Sequence, residues 1–252
     1  MKIIDQTFCA SLIALFFVTG CAKTRSISNS GYERDSGYGP NRKFTEAAFG
    51  YRGELSEYDV LAIDSDRTIS QAEIEQALAN SAVPKLKRRS PILLVQSGAA
   101  FPDEAMVAAL RHDFVIIPFS GIPRQSYSDG KGAYARLLRL AAARAGCETI
   151  VCYWGIVESG RQDLRTKKIS WVPVAGWILP DEQQQMRIQL KVALIDVRSG
   201  GWTVLAPPAY QDKARSTRFS RGASDQRQVE SLKKLAYDAT AHDLLAQYAL
   251  KD

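Results

Sequence analysis

The chain has 252 residues, 46% of them hydrophobic and 24% charged, with a formal net charge of +6. That composition belongs to a mildly basic folded protein, and its bulk suffices for one domain with a real core. No stretch reaches 18 uninterrupted apolar residues, so no membrane-spanning helix is expected.

The first element is the apolar run Phe8 to Val18, FCASLIALFFV. As a helix it would span roughly 16 Å, against about 30 Å of bilayer hydrocarbon. It is too short for a stable anchor. It fits the apolar middle of a secretory signal, with Lys2 in front and the small Thr19 and Gly20 behind. Val18-Thr19-Gly20-Cys21 resembles the bacterial lipobox, in which a small residue precedes a cysteine that becomes the first residue. The resemblance implies that residues 1–20 are a lipoprotein signal peptide. It also implies that Cys21 takes a diacylglyceryl thioether and an acyl chain, such as palmitate, on its amine. Two or more chains anchor stably where one does not. The alternative is an ordinary signal peptide with a chance cysteine. In double-membraned bacteria an aspartate after the cysteine holds a lipoprotein at the inner membrane. Ala22 stands there instead, which implies the outer membrane, facing the periplasm.

Lys2 and Asp5 leave together, so the charge stays at +6. In the periplasm a basic surface meets phospholipid phosphate, lipopolysaccharide and peptidoglycan carboxylate, so nucleic acid is not an expected partner. Residues 21–43 hold serine, glycine and charge, with Ile27 the only aliphatic larger than alanine. They read as an acylated flexible tether with a typical reach near 26 Å. Residues 44–252 read as a single domain.

Within that domain, Tyr58 to Ile63 is predicted as a strand. Ser70 and Glu73 form a capping-box pattern before a helix to about Ser81. Ile92 to Val95 reads as a buried strand, Ala105 to Arg111 as a helix, and Phe114 to Ile117 as a strand. Residues 130–146 read as a helix with Leu137, Leu138, Ala141 and Ala145 inward, stopped by Gly146. Thr149 to Val157 is apolar on both parities, as a central strand is. Ile169 to Leu179 follows as another strand. From Met186 to Leu194 apolar and polar residues alternate, which predicts a sheet with one wet face. The phase breaks at Asp196, marking a bulge or the strand's end. Arg198 to Gly201 is a hairpin turn into Trp202–Leu205, residues 207–223 a basic loop, and Ser224 to about Tyr248 a last helix. The fold class is α/β (α+β): a mixed, mainly antiparallel sheet packed with helices. Cys147 and Cys152, five extended residues apart, lie roughly 16 Å from each other, beyond the ~7 Å a disulfide allows. Buried free thiols are expected, with a bridge only if a tight turn follows Cys147.

The order helix, then AGCETIVCYWGIV, then a long strand ending IQLKVALIDVRSGGW, resembles a group of envelope lipoprotein domains. The group includes the curli-secretion lipoprotein, the activators of penicillin-binding proteins, and the amino-terminal domain of TolB. The lipobox, the size and the segment Trp171 to Gly176 also resemble the rhombotarget lipoprotein family. These resemblances cover roughly residues 90–245 and imply an α/β sandwich that binds other proteins, with no catalytic residues to carry over.

The residues themselves agree with that expectation. There is no Gly-x-Ser-x-Gly elbow and no His-Glu-x-x-His. His112 and His242 lie near helix ends, and Asp64-Ser65-Asp66 lacks the rest of a calcium loop. Gln96-Ser97-Gly98 at a strand end is either an anion cradle or a plain strand-to-helix loop. No catalytic residue, metal or cofactor is assigned. The candidate interaction surface is Trp171 and Trp177, sharing parity beside Pro173 on an edge strand, with Lys87, Arg88 and Arg89 as a basic cluster for headgroups or glycan. The alternatives are tryptophans filling the core and a solvated linker. The expected function is a non-catalytic, membrane-anchored module that binds an envelope protein or assembles with itself. A periplasmic enzyme or ligand-binding protein, with a pocket between sheet and helices, is the second reading.

Overall fold

The computed structural model describes residues 23–30, 51–63, 68–79, 81, 83–123, 132–163, 182–216 and 221–250. Its strands are β1 (Lys23–Ser26), β2 (Pro91–Gln96), β3 (Val115–Phe119), β4 (Thr149–Asp163), β5 (Glu182–Asp196), β6 (Trp202–Leu205) and β7 (Tyr210–Ser216). Its α-helices are α1 (Glu57–Val60), α2 (Gln71–Ala79), α3 (Glu104–Arg111), α4 (Ala133–Arg144) and α5 (Arg221–Tyr248), with a 3-10 turn over Ile27–Asn29.

One seven-stranded sheet runs β3-β2-β4-β5-β6, with β1 beside β4 and β7 beside β5. The β2 strand is parallel to β3 and β4, and the other pairs are antiparallel. The frame is the β4–β5 pair, fifteen residues each and roughly 50 Å long. Beside β4, β2 covers Thr149 to Tyr153, and β1 takes the same lane further on, from Ile156 to Ser159. Beside β5, β6 and β7 divide the length in the same way. The sheet therefore has a near half of five strands and a far half made of β1, β4, β5 and β7.

Burial follows from this division. In the near half, Leu94, Val151, Tyr153 and Leu194 pack under α3 and α5, while Leu93, Ile150, Cys152 and Ile195 pack under α1 and α4. Both parities of β4 are apolar there because both faces are covered. In the far half Met186 and Ile188 stay in the core with Val229 and Leu232, while Gln185, Arg187 and Gln189 meet water. That one-sided cover produces the alternation along β5.

Four expectations are corrected. The apolar run at 58–63 opens as helix α1: Ser56 precedes it and Glu57 and Asp59 fill its first turn, where the helix dipole favours acid. The inward stripe of α4 is Tyr134, Leu138 and Ala142, leaving Leu137 48% exposed. On its neighbouring face the Arg139 guanidinium donates to Val197 O (2.8 Å) and Arg198 O (2.7 Å) in the β5–β6 turn. Residues 210–216, expected as loop, are β7, a polar edge strand held by main-chain pairing with β5. Residues 23–30 are not a free tether: β1 pairs with β4 from Lys23↔Ser159 to Ser26↔Ile156, and Ile27 is 1% exposed. Gly155 makes room for it, since a Cβ there would stand 2.8 Å from Ile27 Cγ2 and 2.6 Å from Leu190 Cδ2.

Other expectations hold. Ser70 and Glu73 form the reciprocal capping box of α2, with Ser70 N donating to Glu73 Oε2 (3.0 Å) and Glu73 N to Ser70 Oγ (3.3 Å). Gly146, at φ +75°, follows the end of α4. Cys147 and Cys152 are free and buried, and burial pushes both thiols up. In the folded protein Cys147 and Cys152 are expected to show negligible reaction with Ellman's reagent at pH 8 over minutes, and both are expected to react after denaturation in urea.

Asp196 closes the β5–β6 turn, accepting from Ser199 N (2.6 Å) and Ser199 Oγ (2.7 Å). Burial alone would raise its pKa, but the Ser199 bonds, the Arg198 backbone and the Arg139 charge outweigh it and hold the carboxyl below its usual value. A folded-state pKa below the unfolded one adds stability above the unfolded value, lost as pH falls through the folded one. Asp196→Asn is thus expected to cost about 0.5–1 kcal/mol at pH 7, allowing for solvent screening. The gap closes as the carboxylate protonates, which urea unfolding at neutral and acid pH measures.

Candidate functional site

Parallel α/β sheets usually offer their ligand sites where strands end at their carboxyl edge. Here that position, at the end of β2, holds a buried polar cluster. Gln96 Oε1 accepts from Asp103 N (2.6 Å) and from the Tyr153 hydroxyl (2.6 Å), and Gln96 Nε2 donates to Ser28 Oγ (2.9 Å). Ser28 Oγ donates to Ser97 O (2.6 Å), and Ser97 Oγ accepts from Leu55 N (2.7 Å). Asp103 Oδ2 accepts from the Tyr237 hydroxyl (2.6 Å) and lies 2.8 Å from Lys233 Nζ. The Tyr153 and Tyr237 rings meet edge to face at 5.8 Å.

Each member is buried, and the named polar groups satisfy one another. Such a network specifies a core arrangement and couples its elements. It joins the amino-terminal turn, β2, β4, the start of α3 and the middle of α5. The backbone N–H groups of Ser97, Gly98 and Ala99 donate to Tyr153 O, Gly121 O and Gln96 O. They are not turned to an anion, so Gln96-Ser97-Gly98 is the strand-to-helix loop. Gly121 closes it so tightly that a Cβ there would stand 1.8 Å from Gln96 O.

The accessible candidate is the outer edge of β3. Among the described residues no strand pairs with that side. Apolar grooves flank it on both faces. One, of about 680 Å³, is lined by Phe119, Ile122, Tyr134, Leu137 and Leu140, with Arg52 and Arg144 at its border. The other, of about 560 Å³, is lined by Phe101, Val107, Phe114, Val115 and Pro118. Phe101 is 70% exposed, and Val115, Leu137 and Leu140 are also exposed. An open strand with apolar grooves on both faces has the features that bind an added strand: unpaired main-chain groups, and grooves for side chains of either parity.

Lys87, Arg88 and Arg89 lie exposed in the turn that leads into β2. The turn is pinned rather than loose. Leu86 N donates to Tyr248 O and Leu250 N to Leu86 O (2.8 Å each), Arg89 N donates to Asp113 O (2.6 Å), and Arg88 Nε lies 3.7 Å from Asp113 Oδ1. Cys21, Trp171 and Trp177 fall outside the described residues. His112 and His242 are exposed, the His242 side chain by 81%, and neither lines the two grooves. Among the described residues no group of three or more His, Cys, Asp or Glu is placed to hold a metal ion. Nor is any described helix long and apolar enough to cross a membrane. Sequence reasoning missed Asp103, Lys233 and Tyr237, which come together only when the start of α3 meets the middle of α5. It also missed the β3 edge, whose sole sequence signal is apolar side chains left over once each inward face is full.

A family model described as YafT bacterial lipoprotein matches residues 56–247. Comparison with curated proteins gives no match. Among solved structures, the hypothetical protein CT253 from Chlamydia trachomatis aligns at 11% identity and a TM-score of 0.28, covering 63% of this chain and 95% of its own.

Proposed function

The chain belongs to the YafT bacterial lipoprotein family, and from that premise we propose that it is an outer-membrane lipoprotein, acylated on Cys21 and facing the periplasm, that acts as a non-catalytic interaction module. Membership of a lipoprotein family implies a lipid anchor and an envelope location. The finer parts of the proposal rest on the residues. Cys21 stands at the lipobox position, followed by Ala22. The resemblance of its sequence layout to rhombotarget and curli-secretion lipoproteins is what suggests a protein-binding role.

The observation that carries the interaction role is the β3 edge, with exposed Phe101, Val115 and Leu137 beside its two grooves. Trp171 and Trp177 and the Lys87–Arg89 turn belong to the same proposal as further contact points. A photo-crosslinking residue at Val115 in cells is expected to give one discrete adduct, either with an envelope protein or with a second copy. The same residue at Gln189, on the wet face of β5, should give none. Equal labelling from both positions would sink the assignment. A Cys21→Ser variant is expected to leave the membrane fraction, and retained membrane binding would reject the anchor.

A second reading, a small-ligand pocket, is favoured by the volume of the groove bounded by Arg52 and Arg144, which falls within the ~300–1,000 Å³ usual for such sites. It predicts no adduct at Val115, and a bound small anion in native mass spectra of freshly extracted protein.

A further inference from the structure

The next inference rests on acylation of Cys21 and adds an orientation to it. A flexible tether would let the domain turn freely below its anchor. The structure leaves no such tether: Lys23 is already paired with Ser159 in the sheet. Only two Cα steps separate it from Cys21, a span of at most about 7.6 Å.

The docking that follows is extensive. Four residues of β1 pair with β4, Ile27 is buried in the core, and Ser28 is bonded to Gln96 and Ser97. Ser30 Oγ donates to Ile27 O (2.9 Å), and Ser26 donates to Glu54. The acyl chains are therefore held at one fixed place on the folded body, the far end of the sheet. Among the side chains described at that end, Lys23, Arg25 and Arg187 are basic and Glu158 and Asp212 acidic, and Glu158 is already paired with Arg187 (2.6 Å). The balance suits a surface of phospholipid phosphate.

We infer that the far end of the sheet rests on the bilayer surface, with the β4–β5 axis directed away from it. The β5–β6 turn and the Lys87–Arg89 turn then lie at the end remote from the membrane. Ten residues of β4 separate Ser159 from Thr149, which pairs with Asp196 at that turn, a distance of roughly 33 Å. The basic cluster at 87–89 is thus kept from the headgroups of the membrane that holds the anchor, and faces whatever lies deeper in the compartment.

Energy transfer on the full-length, acylated protein tests this. It is reconstituted in vesicles of phosphatidylethanolamine and phosphatidylglycerol carrying a headgroup-linked acceptor. A donor is placed through Gln211→Cys at the far end or Arg198→Cys at the near end, both exposed positions. Transfer from position 211 is expected to exceed that from 198 by at least threefold. Inserting twenty Gly and Ser residues between Ala22 and Lys23 is expected to abolish the difference. Mass spectrometry of the amino-terminal peptide separates the two layers of the claim. An unmodified Cys21 overturns both the anchor and the orientation. A lipidated, vesicle-bound protein with equal transfer from the two donors overturns the orientation alone.

Discussion

Lys233→Met is expected to destabilise the protein by about 3–5 kcal/mol, the cost of leaving a buried charge without its partner. The Lys233 and Asp103 side chains are only 11% and 8% exposed, and Nζ lies 2.8 Å from Oδ2. The Tyr237 hydroxyl donates to the same oxygen. A neutral hydroxyl cannot replace an ammonium in a site so little exposed to water. The double variant Asp103→Asn/Lys233→Met removes both charges, keeps an acceptor for Tyr237, and is expected to recover about half of the loss. Urea unfolding followed by circular dichroism measures all three proteins. A single-variant loss under about 1 kcal/mol, the range of exposed pairs, would mean that water compensates the pair after all.

Ile27→Ala is expected to cost about 2–5 kcal/mol, the range for emptying a buried aliphatic site. The loss is local in character. The segment before residue 30 is held by its pairing with β4, by Ile27 and by the bonds of Ser26 and Ser28, all within six residues, so it can open as one unit while the rest of the sheet stays closed. Opening of this segment is expected well below global unfolding. Trypsin cleavage after Arg25, protected in the native strand, is expected to accelerate at least tenfold while β5 remains intact. Gly155→Val reaches the same end from the other side, because its side chain needs the space that Ile27 and Leu190 occupy. An unchanged cleavage rate in both variants would show that main-chain pairing alone holds the strand.

Where local periodicity and burial coincide, the elements were legible in the sequence. Strands β2 and β4, helices α3 and α5, the wet-and-dry alternation of β5 and the turn at Arg198–Gly201 all follow from side-chain pattern. The α4 stripe was misplaced by one residue. Leu137 and Leu138 are adjacent and equally apolar, and only packing against the sheet, where Leu138 lies between Tyr134 and Ala142, decides which of them faces in. Of the candidate surfaces, Lys87–Arg89 is where a reader of charge would look. The β3 edge is not, because a strand's position in a sheet is not written in its own residues.

The order of the chain alone carries the resemblance to a lipobox at Cys21 and the succession of apolar faces that makes one α/β domain. The tertiary structure decided that Lys23 to Ser30 belong to the body and not to a leash, that β7 is a strand, and that Asp103, Lys233 and Tyr237 share one buried site. The reason is common to all three. Strand pairing uses the N–H and C=O that nearly every residue owns, and a polar cluster is assembled from distant segments. Neither leaves a local mark in composition.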